Sequence, residues 1–373
     1  MLHYEQYGKD GPLISRLGFG AMRLPTKTPE DYGDVNYAKA TRVLRAAFSA
    51  GVNFIDSHHF YHEGNSELAI GKAFKGWKGN HIYIQTKAQW WDYNLKRRDF
   101  EEFLHKALTK LGVKTIDYYL MHSLQMDVWQ KRGKQFIRFT DWALKRGLIQ
   151  HRGFSSHETP ENVRKFIDTG EFSAMVVSYN WMNRQMRDTI AHAADRGMGV
   201  AIMNPIGGGT LATRTPQIMR LLPRARNPAE IGLRYVLATP GVTCALSGMN
   251  EVRQVEENVA TASRKRMLTS IQLMRMHDRL SKIEEKSKEF CTACGYCMPC
   301  EHGVDISRNF ELLKQVKFFG RLKWARAQYS RLKNHPKGDR SATACKLCGK
   351  CLPKCPNKVP IIKQLQEVEA LLS

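Results

Sequence analysis

Residues 17–25 read LGFGAMRLP, and the order of strand and turn in this stretch separates two α/β architectures. An open doubly wound sheet that binds a dinucleotide places a G-x-G-x-x-G turn directly after its first strand, where backbone amides and a helix N-terminus take the pyrophosphate. Here the apolar run at 17–22 keeps both glycines inside the strand and runs on into Arg23, Leu24 and Pro25, so the fingerprint is missing. Outward from this run, seven more β-branched or aromatic stretches follow at 52–57, 81–86, 116–123, 149–155, 174–180, 199–204 and 242–248. Amphipathic segments separate them, the pattern of βα units on a parallel sheet. The segment 37–50 puts Ala40, Val43, Leu44, Ala47 and Phe48 on one stripe, and 100–111 does the same with Phe103, Leu104, Ala107, Leu108 and Leu111. A glycine, Gly51 or Gly112, follows each, and Thr159-Pro160-Glu161 and Asn227-Pro228-Ala229-Glu230 read as helix starts. Eight such strands predict closure into a (β/α)8 TIM barrel over residues 1–285, with its active site at the C-terminal strand ends.

Composition sets the outer limits. The chain has 373 residues, 42% of them hydrophobic, which supplies a large core and excludes a disordered or collagen-like protein. No run of about 18 apolar residues occurs, so no membrane span is expected. The first residues lack a basic segment followed by an apolar one and a cleavage site, so a cytoplasmic protein is expected. Lys and Arg number 58 against 35 Asp and Glu, a formal charge of +23.

Eight of the nine cysteines lie after residue 290, and Cys244 sits alone in the apolar VTCALSG strand, where it reads as a small core residue. The two runs are CTACGYCMPCEHGVDI from Cys291 and CKLCGKCLPKCPNKVPI from Cys345, that is, C-x2-C-x2-C-x2-C and C-x2-C-x2-C-x3-C-P. In a reducing compartment such spacing argues for metal over disulfides. Structural zinc prefers C-x2-C pairs about 15 or more residues apart, whereas the second run resembles the ferredoxin signature and a doubled run implies two 4Fe-4S clusters. Residues 286–373 are therefore expected to form a mainly α-helical ferredoxin-like di-cluster domain. By that resemblance Cys291, Cys294, Cys297 and Cys355 hold one cluster, and Cys345, Cys348, Cys351 and Cys300 the other. The first run departs from the signature, with Glu301 in place of proline. Between the runs, Leu312, Val316, Phe319, Leu322, Ala325, Tyr329 and Leu332 recur at three and four, predicting an amphipathic helix whose other face is basic. Those charges read as a solvated face rather than a nucleic-acid or membrane surface.

At the strand ends of the barrel, Asp56 closes FID, Tyr61 follows in the loop, Lys87 closes IYIQTK and His122 closes DYYLMH. Neighbouring parallel strands lie about 4.8 Å apart, so these side chains can converge. A tyrosine hydroxyl, ordinarily near pKa 10, becomes a useful acid when an ammonium stabilises its phenolate. His58, His59 and His62 crowd the same loop; a metal site is one reading, and pocket lining or surface is the one favoured, because adjacent histidines diverge on an extended chain.

These residues carry a resemblance to the aldo/keto reductase family that covers 1–285, through LGFGAMRLP, GVNFIDSHHFYHEGNSE, the IQTK lysine, DYYLMHS, GFSS at 153–156, YN at 179–180, NPIGGGTL at 204–211 and SGMNEVRQVEEN at 247–258. The resemblance implies Tyr61 as general acid/base, Asp56 and Lys87 as the partners that lower its pKa, and His122 as the group orienting a small carbonyl or alcohol substrate. It also implies an NADP or NAD site. The carboxamide contact would fall on Ser155, with Ser156 replacing the usual Asn, and Asn180 nearby. Phosphate contacts would fall on Gly207, Gly208, Gly209 and Leu211 and on Ser247, Gly248 and Asn250, and the adenine contact on Glu257 and Asn258, which read equally as solvated helix residues. Two departures stand out, Val176 where Gln is common and Met203 where an aromatic ring usually stacks. They allow another planar ring such as a flavin, for which no motif occurs.

A nicotinamide passes two electrons and a cluster one, so something must convert between them; the leading expectation is a carbonyl/alcohol oxidoreductase with electron transfer through its clusters. The alternatives are a plain NAD(P)H-dependent carbonyl reductase with structural clusters, and a non-catalytic redox sensor or electron carrier. The basic excess would steer an acidic redox protein such as a ferredoxin or flavodoxin toward the clusters.

Overall fold

The computed structural model describes residues 1–28, 33–288, 297–355 and 358–373. An N-terminal hairpin, β1 (Tyr4–Gln6) and β2 (Leu13–Ser15), precedes eight strands: β3 (Leu17–Gly20), β4 (Phe54–Asp56), β5 (Tyr83–Gln89), β6 (Ile116–His122), β7 (Ile149–Ser156), β8 (Ala174–Ser178), β9 (Gly199–Met203) and β10 (Cys244–Ser247). Strands β3 to β10 form a closed barrel, all parallel, in which β10 closes on β3 with Ala245 opposite Leu17. Every expected strand is present, and helices fill the intervals. The helix Tyr37–Ser49 buries the five residues of its expected stripe and starts at Asn36, whose side chain accepts from Lys39 N.

The barrel interior is filled by Tyr7, Phe54, Tyr118, Leu120, Val176 and Leu246, with Cys244 fully buried among them. Tyr7 belongs to the turn of the hairpin, which sequence reading left out because its strands are only three residues long. Its ring packs 5.0 Å from Phe54 and 4.8 Å from Tyr118, and Tyr118 OH donates to Tyr7 O at 2.7 Å.

The chain divides into two compact units, one of residues 1–211 and 232–269, the other of 212–231 and 270–373. The sequence reading draws its line at 285; here the helix Ser270–Lys288 and the segment after β9 both group with the cysteine-rich unit. Within that unit Thr215 Oγ1 donates to Phe319 O at 2.8 Å. A helical stripe shows that a face is buried but not which core buries it. The expected single helix across 312–332 is instead two, Ile306–Phe319 and Leu322–Lys333. Gly320 causes the break: it takes a left-handed conformation, φ 64°, while Arg321 N reaches back to Gln315 O at 3.1 Å and closes a helix terminus. These helices and Ile361–Leu372 enclose a core built on Phe310, Leu313, Tyr329, Leu365 and Val368. Among the described residues no helix is long and apolar enough to cross a membrane.

Candidate active site and cluster loops

Asp56 ends β4 opposite Gln85 of β5, two residues before Lys87. Residues two apart on a strand share a face, so all three side chains meet inside the barrel mouth. Lys87 Nζ donates to Asp56 Oδ1 at 2.6 Å and to Ser57 O at 2.7 Å. Gln85 Nε2 donates to the same Asp56 oxygen at 2.6 Å, and Gln85 Oε1 accepts from Tyr7 OH at 3.0 Å. His122 ends β6. Tyr61 opens the turn Tyr61–Gly64 after β4, where His62 and Glu63 are left-handed at φ 53° and 54°. The Lys87 ammonium stands 5.3 Å from the Tyr61 ring centroid, and the Tyr61 and His122 rings are 6.3 Å apart. Asp56, Tyr61, Lys87 and His122 all line one cavity of about 420 Å³.

Burial lowers the Lys87 ammonium below its usual pKa, and the Asp56 carboxylate offsets part of that shift. His122 is pushed down to about 3 by burial, with Lys87 the next cause, so its ring is neutral at pH 7 and donates a single N–H. The three loop histidines act as ties, and none lines this cavity. His58 is buried, with its ring 3.9 Å from that of His122, and its Nδ1 accepts from Phe60 N. His59 Nδ1 donates to Lys87 O at 3.0 Å, and His62 Nε2 accepts from Leu24 N at 3.0 Å.

Burial of these rings predicts an acid-labile barrel. Burial lowers His58, His122 to about 3 and His59 to about 4, whereas the unfolded rings titrate near 6.5. Unfolding therefore takes up protons in that window, and stability falls as pH drops from about 6.5 toward the folded values. The slope is up to about 1.4 kcal/mol per pH unit for each responding ring, less for the partly exposed His59 and His122. Urea midpoints of wild type and His58→Gln between pH 6.5 and 4 check this as a flatter slope in the variant; parallel lines would refute it.

Of the residues expected at a cofactor, Ser155, Met203, Gly208, Gly209, Ser247 and Gly248 line the cavity. The others serve the walls. Ser156 Oγ donates to Leu124 O at 2.7 Å, and Asn180 ties the next loop by donating to Asn204 O at 3.0 Å. Asn258 Nδ2 donates to Ser247 Oγ at 3.1 Å, and Glu257 pairs with Arg253 at 3.2 Å on the surface of the helix Val252–Ala262. Gly207 N donates to Asn204 O, Leu211 is buried, and Asn250 N donates to Gln254 Oε1. Gly208 and Gly209 are left-handed at φ 62° and 90°, and a Cβ on Gly209 would enter open space, so the loop has room for a ligand. Sequence reading missed Arg23, Trp91 and His157 as lining residues. Arg23 packs against both Gly208 and Gly248, and the Trp91 ring is 5.3 Å from that of His122. His157 directly follows β7, so the strand-end rule that found His122 could have found it.

In the second unit Cys297, Cys300, Cys345, Cys348 and Cys351 line one small cavity of about 30 Å³. The Cys351 thiol is pushed up by burial and by the nearness of Cys345, Cys300 and Cys348, a repulsion that bound iron would relieve. Cys355 Sγ accepts from Val359 N at 3.4 Å. Among the described residues no three His, Cys, Asp or Glu side chains converge on one ion; a cube of four irons binds each thiolate at a different iron and does not need them to. The donor set fits such a cube. Cys291 and Cys294 lie outside the described residues.

Residues 16–227 match the model of the aldo/keto reductase family, and residues 290–360 match a 4Fe-4S dicluster domain. An uncharacterized oxidoreductase of Bacillus subtilis is 21% identical over 286 residues, covering 68% of this chain and 89% of that protein. The holo form of an aldo-keto reductase from Bacillus halodurans has a similar fold, with TM-score 0.65 at 22% identity over 74% of this chain and 96% of that one. An aldo-keto reductase from Klebsiella pneumoniae in complex with NADPH gives TM-score 0.61 at 17% identity over 74% of this chain and 95% of that one.

Proposed function

Because this chain belongs to the aldo/keto reductase family and carries a 4Fe-4S dicluster domain, we propose that it interconverts a carbonyl and an alcohol at Tyr61, Lys87, Asp56 and His122 and exchanges electrons through two 4Fe-4S clusters. The observation that carries this reading is the buried Lys87 ammonium, fixed by Asp56 at 2.6 Å and set beside the Tyr61 ring. A bound nicotinamide would exchange a hydride with the substrate carbon, and two clusters, passing one electron each, would carry the matching pair of electrons between the nicotinamide and an external one-electron carrier. The NADPH complex of the Klebsiella pneumoniae relative supports the choice of nicotinamide. In this chain Ser155, Met203, the Gly208-Gly209 turn, Ser247 and Gly248 would hold it, and Cys300 would join Cys345, Cys348 and Cys351 at one cluster, leaving Cys291, Cys294, Cys297 and Cys355 for the other.

When hydride reaches a carbonyl carbon, negative charge develops on oxygen. Tyr61 donates its phenolic proton to that oxygen, and the C–O group leaves as an alcohol. Lys87 stabilises the phenolate that remains, which lowers the pKa of Tyr61 toward the working pH. Asp56 and Ser57 O hold the ammonium charged and in place. His122, neutral, donates an N–H to the carbonyl oxygen and so selects its orientation. In the reverse direction the Tyr61 phenolate takes the alcohol proton.

Mixing anaerobic holoprotein with NADPH in a stopped-flow spectrometer tests the connection. The visible absorbance of the clusters should bleach, and an added carbonyl should be reduced. Carbonyl reduction with unbleached clusters would make them structural, and no carbonyl reduction at all would remove the barrel reading.

A further inference from the structure

We infer that the loop of the second cysteine run, residues 345–355, is the docking face for a small acidic one-electron carrier protein. The inference rests on the cluster reading above and extends it to a partner. The two cysteine runs differ in charge. Residues 345–358 contain Lys346, Lys350, Lys354 and Lys358 and no acid, whereas residues 291–304 contain no Lys or Arg and the acid Glu301. All four lysines are exposed, and three of them, Lys346, Lys350 and Lys354, line the same cavity as Cys300, Cys345, Cys348 and Cys351. Lys350 pairs with Glu301 at 2.5 Å; Lys346 and Lys354 have no ion pair among the described residues.

The same loop exposes apolar side chains. Leu347 is 53% exposed and Leu352 41%, and along the sequence they flank the exposed Cys348. Leu347 is held outward on a left-handed turn at φ 55°, a conformation leucine rarely takes. Exposed apolar residues beside a ligand cysteine, in a loop whose charges are all positive, are the form of a small transient contact: the charges steer an opposite charge, and the apolar residues let the partner's redox centre approach. A second copy of this chain does not suit the face, since each carries a formal charge of +23. Nucleic acid and anionic lipid answer the lysines but make no use of an exposed cluster ligand.

The test uses full-length holoprotein prepared anaerobically, with iron and sulfide counted, and a small acidic 2Fe-2S ferredoxin as the immobilised probe. Wild-type association should slow steeply as salt rises. The double variant Lys346→Glu, Lys354→Glu should associate about tenfold more slowly at low salt, while Lys323→Glu, Lys333→Glu, the same charge change on the helix Leu322–Lys333, should stay within about threefold. Equal losses in both double variants, or no ferredoxin binding by wild type with intact clusters, would overturn the inference. So would phosphatidylglycerol vesicles or duplex DNA binding through Lys346 and Lys354 where ferredoxin does not. Iron content and dithionite-reduced spectra report the clusters separately. Docking that persists while carbonyl reduction is absent therefore counts against the barrel reading alone.

Discussion

Tyr61→Phe is expected to lower kcat for carbonyl reduction by about 10³-fold while NADPH affinity and the urea midpoint stay near wild type. The substitution removes only the hydroxyl, so the ring keeps its place 5.3 Å from the Lys87 ammonium and 6.3 Å from His122, and the wall of the cavity is preserved. What is lost is the proton that neutralises the developing alkoxide, and none of the neighbours is suited to replace it. His122 is neutral with its pKa near 3, so it donates a hydrogen bond but is a weak source of a full proton. The Lys87 ammonium is engaged with Asp56 and Ser57 O. Lys87→Met separates the acid from its tuner. It should also slow turnover, but it leaves the buried Asp56 carboxylate with Gln85 as its remaining partner and should cost about 3 kcal/mol of barrel stability. Steady-state kinetics with urea melts of both variants checks the split. A Tyr61→Phe protein that keeps more than a tenth of its turnover would remove the phenol from the mechanism.

Cys300→Ala should halve the iron of the purified protein, from about eight atoms per chain toward four, and the cluster lost should be that of Cys345, Cys348 and Cys351. In sequence Cys300 belongs to the first run. In space it and Cys297 both line a cavity with the second run, and of the two it is Cys300 whose nearness raises the Cys351 thiol, as Cys345 and Cys348 do. Cys300→Ala and Cys348→Ala should then leave the same remaining cluster, with matching paramagnetic spectra after dithionite reduction, whereas Cys355→Ala should leave the other. Because a nicotinamide would pass both electrons straight to the carbonyl as a hydride, NADPH-dependent carbonyl reduction should survive cluster loss, whereas carbonyl reduction driven by a reduced one-electron carrier should fall with it if the clusters carry electrons. Different residual spectra in Cys300→Ala and Cys348→Ala would refute the pairing.

Much of this was legible along the chain. The eight strands, the polar residues Asp56, Lys87 and His122 near their ends and the two thiol runs follow from local regularities: a side-chain period of two in strands, a helix stripe at three and four, and the spacing that lets a short turn present thiolates to one cube. The hairpin that fills the barrel interior was not legible, because three-residue strands carry too little periodicity to register. The break at Gly320 was hidden for the opposite reason, since the apolar repeat runs across it without a change of phase.

Residue type and spacing therefore specified the architecture and the chemistry on offer, because covalent geometry and strand or helix period act within a few residues. Which groups meet was settled by folding. Asn258 serves Ser247, Ser156 serves Leu124, Arg23 joins two glycine loops, and residues 212–231 and 270–288 group with the cysteine-rich unit. Such pairings depend on distances between segments tens to hundreds of residues apart, and a local pattern carries no record of them.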